Sequence, residues 1–251
     1  MKHTLLSLCS LTLATSSLAQ NAEDFDPLGE HLNLPKQIRV MVEYIEVPLP
    51  ELTKLLAEPR KSANDGDLRE TVGKLVEAGT AKHQETQFII ARSGETATTE
   101  GILEYIYPTE YEPSEVPNEI SSNQDTGQAM EIAKMVATPP TPTAFETRNT
   151  GSTLEIQPTI GADDKTIDLR LAPELVEHIR NEIWSEWNGV HGKAPIQMPL
   201  FSSARINTGL TLINGQYCLA GTTSMKGEDG KPDHQRKLLF FVRADILTAG
   251  L

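Results

Sequence analysis

Phe145-Glu-Thr-Arg-Asn-Thr-Gly151-Ser-Thr-Leu154-Glu-Ile156-Gln-Pro158-Thr-Ile160-Gly-Ala-Asp-Asp-Lys165-Thr-Ile167-Asp-Leu169-Arg-Leu171 decides how the chain is read. Leu154, Ile156 and Ile160 alternate with polar residues before the break, and Ile167, Leu169 and Leu171 alternate after it. That is the period of strands with one covered face. Gly161 to Lys165 is polar and tolerant of left-handed backbone, so the segment predicts two strands joined by a hairpin tip. Asp163 and Asp164 could bind a cation, but an acidic tip reads first as a solvated turn.

Working outward, residues 173–189 admit two readings. Leu175, Val176, Ile179, Ile183, Trp184 and Trp187 fit a helical stripe, yet the segment also continues the preceding strand. Trp184 and Trp187 are assigned to local or core packing ahead of an interfacial aromatic girdle. Farther on, Asn214-Gly215 separates residues 204–213 from 216–222 and carries the signature of a two-residue type I′ hairpin. That hairpin would pair Ile213 with Gln216, Leu212 with Tyr217 and Leu210 with Leu219. Residues 238–247 make a closing strand.

The amino-terminal half opens with Lys2, an apolar run over residues 4–14 and Ser17-Leu18-Ala19, the plan of a cleaved signal peptide. The run falls short of the ~20 residues that a spanning helix needs. Residues 1–19 are therefore read as a signal peptide, 20–36 as a flexible lead-in and 37–248 as one domain. Ile38 to Val47 alternates as a strand. Pro48 precedes a short helix carrying Leu52, Leu55 and Leu56. Asp67-Leu-Arg-Glu70 resembles a capping box for a second helix, with Leu68, Val72, Leu75 and Val76 on one face and Gly79 as its stop. Residues 80–91 and 96–107 read as a hairpin around Arg92-Ser93-Gly94-Glu95. An irregular, proline-rich insertion is expected over 108–144, with a helix only at 128–137.

Composition excludes several functions. Cys218 is the one cysteine left after a signal peptide containing Cys9 is removed, so no internal disulfide or thiolate metal cluster forms. The formal charge of −13, which becomes −14 once Lys2 is lost, argues against a phosphate-neutralising nucleic-acid surface. His31, His83, His178, His191 and His234 show no metal-ligand spacing. Asp125-Thr126-Gly127 is the triplet of aspartic protease loops, but Ser121 to Gln124 replaces the apolar strand that should precede it. Neither a Gly-x-Ser-x-Gly elbow nor a phosphate-cradling glycine loop is present. No cofactor is expected.

Two patterns resemble the core domain of secretins, the channel proteins of type II and type III secretion. The first is Gly151-x-x-Leu154-x-Ile156-x-Pro158-x-Ile160 with its acidic turn and Ile167-x-Leu169-x-Leu171. The second is Pro199-x-Phe201 leading to Leu210-x-Leu212, Asn214-Gly215-Gln216 and Leu219-Ala-Gly221. The resemblance implies a mainly β (α+β) secretin-like domain of hairpins with two or three short helices, residues 173–189 extended into a second hairpin, and pore architecture instead of catalysis. It further implies an exported protein of the periplasm or outer membrane. Its partners would be further copies of the chain or secretion-apparatus components, with membrane association left open. The sequence departs from the pattern in three respects. It shows no ring-building domains before Ile38 and no pilot-binding extension. Lys226, Glu228, Asp229, Lys231, Asp233, Arg236 and Lys237 also occupy a connection that is apolar in secretins. The expected role is an exported structural protein without enzymatic activity, periplasmic or peripheral to the outer membrane; a pore-forming component and, remotely, an aspartic protease are the alternatives.

Overall fold

The alternation in Ile38 to Val47 becomes β1 (Lys36–Pro48), which lies beside the last strand, β9 (Arg236–Thr248), in antiparallel register from Lys36↔Thr248 to Pro48↔Arg236. The computed structural model describes residues 35–57, 62–116, 126–190, 192–227 and 229–248. The expected signal peptide and nearly all of the lead-in lie outside these. Both strands bury both of their faces. Ile38, Val40, Val42, Tyr44, Phe240 and Val242 point one way, while Ile45, Val47, Leu239 and Phe241 point the other. A strand apolar on both faces needs a layer on each side.

One layer is helical. Pro48 caps α1 (Leu49–Leu56), whose Leu52 is buried, and α2 (Gly66–Glu77) lays Val72 against Ile45, Leu239 and Phe241. Gly79, at φ 71°, ends α2 as expected. The cap differs from expectation. Asp65, not Asp67, is the N-cap, and its carboxylate makes no capping bond within the helix. Instead the Asp65 N–H donates to the Tyr217 carbonyl at 2.8 Å, and Leu219 N–H donates to Asp65 Oδ2 at 2.6 Å. Both bonds go to the outer edge of β8 (Tyr217–Thr223), which this contact blocks.

The other layer is a second antiparallel sheet. β2 (Lys82–Arg92) and β8 flank the central pair in the order β2-β1-β9-β8. Opposite them β3 (Ala97–Glu112), β4 (Thr141–Ile160), β5 (Thr166–Gly189) and β6 (Gly192–Arg205) form the order β3-β4-β5-β6, with β7 (Thr208–Ile213) also on β5. Leu154, Ile156, Ile167, Leu169 and Leu171 are the inner face of that sheet. Tyr44 meets Phe240 edge-on at 5.2 Å, and its hydroxyl donates to Gln87 Oε1 at 2.6 Å inside the sandwich. Burial pushes that phenol well above its ordinary range. Asp168 and Arg170 lie on the outer, exposed face.

The hairpin over 145–171 and the extended reading of 173–189 stand: β4 pairs with β5 from Ile160↔Ile167, and β5 continues unbroken to Gly189. The tip is held by Asp163, whose Oδ1 accepts from the N–H groups of Lys165 and Thr166 and from the Thr166 hydroxyl. Those bonds hold its carboxyl down at about 2. The insertion expected at 108–144 is narrower, because paired strand reaches Glu112 on one side and Thr141 on the other, and α3 (Thr126–Val136) lies between. Prolines are tolerated there because β3 is an edge strand and β4 has only β3 beside it over this span.

Two expected hairpins are corrected. The turn at 92–95 joins β2 to β3, which lie in different sheets, and the Asn214-Gly215 turn likewise joins β7 in one sheet to β8 in the other. Leu212 faces the sandwich interior while Tyr217 faces the helices, so the expected cross-strand pair points to opposite layers. The reason lies in the turn. Gly215 has φ 78° but Asn214 is not in the left-handed region, which is the φ pattern of a type II turn. Such turns splay their flanking strands. Asn214 N–H donates to the Lys165 carbonyl, Gly215 N–H to the Ala244 carbonyl, and Asn214 Oδ1 accepts from Ile246 N–H at 2.9 Å, so the corner ties the two sheets together. In Gly215→Val the Cβ itself makes only an ordinary contact, its nearest atom, Asp245 Oδ1, standing 3.7 Å away. The cost is positive φ on a β-branched residue, and the variant is expected to lose more than about 1 kcal/mol in urea unfolding.

Candidate functional site

Beyond Gly151↔Val176 the β4–β5 ladder stops. β4 then keeps only β3 as partner, to Glu112↔Thr141, and β5 keeps only β6, to Gly189↔Gly192. Two two-stranded arms leave the sandwich at that point. Gly151 sits at the fork with φ 115°, and a Cβ there would stand 2.1 Å from the Gly101 carbonyl oxygen. Only glycine lets the β3 backbone approach so closely. The same site therefore carries the first residue of the sequence pattern.

The arms lie face to face at their roots. Tyr105 of β3 stacks on His178 of β5 at 4.6 Å, and Phe201 of β6 meets Tyr105 and Tyr107 at 5.7 and 5.8 Å. The Arg148 guanidinium lies over the Phe201 ring at 5.5 Å, and the Tyr105 hydroxyl donates to Asn181 Oδ1 at 3.2 Å. The first arm exposes Leu103 (69%) and Ile106 (66%) beside this stack, and farther out the second arm exposes Ile183 (61%) and Trp184 (74%). Trp184 is thus not packed inside the protein, contrary to the reading from sequence. It sits at a register break between Ile183 and Ser185, whereas Trp187 does pack locally over Gly189 at the arm tip.

A cleft of about 770 Å³ separates the root of the second arm from the end of the four-stranded sheet, lined by Glu46, Lys82, Glu177, His178, Asp233 and Arg236 among others. Glu46 pairs with Arg236 and accepts from Gln84 Nε2 at 2.5 Å. Burial pushes the Glu177 carboxyl above its ordinary value, with Lys82 opposing and Glu46 adding to the shift.

Of the sequence-selected residues, Leu154 and Ile156 are core, and Ile160 ends the shared ladder. Pro158 accepts from Gly94 N–H at 2.7 Å, so its missing N–H faces the turn and costs no ladder bond with β5. Pro199 pairs with Asn181 on the second arm, and Phe201 joins the aromatic stack. Asn214, Gly215 and Gln216 form the sheet-crossing corner, and Gly221 follows a register break in β8. They serve several different places instead of one site. Tyr105, Arg148, His178 and Asn181 were not selected, because partners on separate arms leave no local signal.

Asp125, His31 and His191 lie outside the described residues. Thr126 and Gly127 begin α3, so the Asp-Thr-Gly triplet runs into a helix. Among the described residues no group of three or more His, Cys, Asp or Glu is placed to hold a metal ion. No described helix is long and apolar enough to cross a membrane.

No known family model matches the chain, and no curated protein matches it in sequence. Among solved structures it is similar to the type II secretin GspD of enteropathogenic Escherichia coli, at 13% identity and a TM-score of 0.40, covering 86% of this chain and 70% of that one. It is also similar to Aeromonas hydrophila ExeD (11%, 0.38, covering 87% and 50%) and to the V. cholerae type IV competence pilus secretin PilQ (12%, 0.35, covering 87% and 63%). The chain thus spans about half to two thirds of the latter two.

Gly151→Ala is expected to destabilise the protein by about 1 to 3 kcal/mol or more, since strained backbone and a steric clash add. Urea unfolding measures it, and an unchanged midpoint would contradict the geometry of the fork. Glu177 predicts a pH dependence. Its raised folded value means that the folded chain holds this proton more tightly than the unfolded chain, so the contribution is complete below the ordinary carboxylate value and is lost as pH rises through the raised one. Glu177→Gln should therefore raise Tm near neutral pH and leave it unchanged in acid below the ordinary carboxylate range.

Proposed function

We propose that this chain is an exported structural protein with a secretin-like domain, without enzymatic activity, that assembles with further copies of itself in the cell envelope through its two arms. The observation that carries the reading is the fork at Gly151. It sends two ribbons out of a buried sandwich with unpaired strand edges and exposed apolar side chains, and free edges are templates for pairing with another chain. The secretin-like sequence patterns and the signal-peptide plan point to the same role in protein secretion. The experiment is to produce the mature chain and measure its mass in detergent and in buffer. Multimers are expected, and the double substitution I106K/W184K, at two exposed positions, should reduce them while leaving unfolding free energy within about 0.5 kcal/mol of the parent. A chain that stays monomeric at every concentration would sink the proposal.

A second reading, a channel wall, is favoured by arm length. Residues 103–112 with 141–150, and 177–189 with 192–202, extend past the shared ladder for about the 9 to 11 residues that a spanning strand requires. β7 and β8 lie in different sheets and form no hairpin, so their short length sets no limit on spanning. α3, between the strands of the first arm, exposes Met130, Ile132, Met135 and Val136. Carbonate-resistant membrane association together with dye release from liposomes would select this reading over a peripheral assembly.

A further inference from the structure

The connection between β8 and β9, charged where the sequence pattern it otherwise resembles is apolar, folds on itself. Gly227 N–H donates to the Lys231 carbonyl, Gly230 N–H to Gly227 and Asp233 N–H to Met225, at 2.8 to 2.9 Å, and Lys226 bridges Pro232. This finger lies on the face of the second arm opposite the aromatic stack. Arg180 Nη2 donates to the Asp229 carbonyl at 3.1 Å, and Lys226 N–H donates to the Ser202 hydroxyl at 3.3 Å. Gly230 comes so close that a Cβ would stand 2.3 Å from Leu200 Cδ2 and 3.4 Å from the Arg180 guanidinium. The β5–β6 register breaks between His178 and Arg180 and again between Ile183 and Ser185, on either side of that contact. Register breaks bend a ribbon locally.

We infer that the finger formed by residues 225–227 and 229–233 is the seat of the second arm: the arm pivots at the register break beside Ile179, and the finger, not the sandwich, sets where its tip points. The inference rests on the reading that the arms are the working surfaces. The cleft on the sandwich side leaves the arm root without ladder support from the four-stranded sheet, so the finger and the aromatic stack hold it from opposite faces. The finger holds by two polar bonds, one exposed and one to the buried Ser202 hydroxyl, and by a close approach at one glycine. Those contacts can part without breaking a strand ladder.

Hydrogen exchange on the unassembled mature chain tests this. In Gly230→Val the amides of residues 180–200 should exchange about ten-fold faster or more, with those of 154–171 unchanged, since local opening is read segment by segment. Arg180→Ala should act in the same direction and Arg180→Lys should recover part of the protection; if Gly230→Val fails to fold, this pair carries the test. Arm exchange that stays at the parent rate, or an equal rise in 154–171, would overturn the inference. Because the unassembled chain is measured, failure to form multimers would leave this result standing and would count against the proposed function alone.

Discussion

Everything in the structure depends on the pairing of β1 with β9 and on the burial of both strands from two sides. Phe240 and Phe241 are consecutive and both fully buried, one toward the second sheet and one toward the helices. A side chain of that size contributes roughly 1.5 to 3 kcal/mol when removed from water, so two adjacent ones fix the layer order by themselves. The polar groups on the helix side answer the same constraint. Asp245 accepts from Arg39 and Arg243, Glu43 accepts from Arg69, and Tyr217 lies between the Arg69 and Arg243 guanidinium groups at 5.8 and 5.6 Å. Where the helices do not reach, a charged ladder covers the sheet.

The fork follows from what the second sheet can share. While β4 and β5 run beside each other they form one apolar inner face, and beyond Gly151 and Val176 the four-stranded sheet no longer lies opposite that face. A two-stranded ribbon is marginal in water without a third strand or a packed face. The Tyr105, His178 and Phe201 stack gives each arm a face to pack on, and it sits directly after the fork.

Much of this was legible in the residues. Alternation placed the strands at 38–47, 154–160, 167–171 and 238–247, and Gly79 and Leu52 marked the helices, because period and cap chemistry are local. Sheet membership was not legible. Arg92 to Glu95 and Asn214-Gly215 announce turns, yet a turn signal says nothing about whether its two strands pair with each other or pass to facing layers. What decides is φ at Asn214 and the bonds that Asn214 and Gly215 make to Lys165, Ala244 and Ile246, partners that are distant in sequence. The site was hidden for the same reason. Gly151 could be selected from sequence, but its role depends on Gly101, and the aromatic stack joins residues from three strands.

The strand edges differ in what they can accept. β8 presents its outer edge at Tyr217 and Leu219 to Asp65, which occupies it there. The outermost strand of the first arm, β3, is open and bears Glu100, Glu104, Glu110 and Glu112, all exposed, with no basic residue. Two copies brought together by a two-fold axis along that edge would set glutamate against glutamate, and like charges directly opposite are destabilising. β6, the outermost strand of the second arm, has no acidic residue and carries Lys193 and Arg205. The charge distribution thus disfavours a self-complementary β3 edge, whereas a head-to-tail join of β3 to β6 would set those glutamates beside Lys193. Joins of that kind close into rings when the rotation between neighbours permits and run on as filaments when it does not.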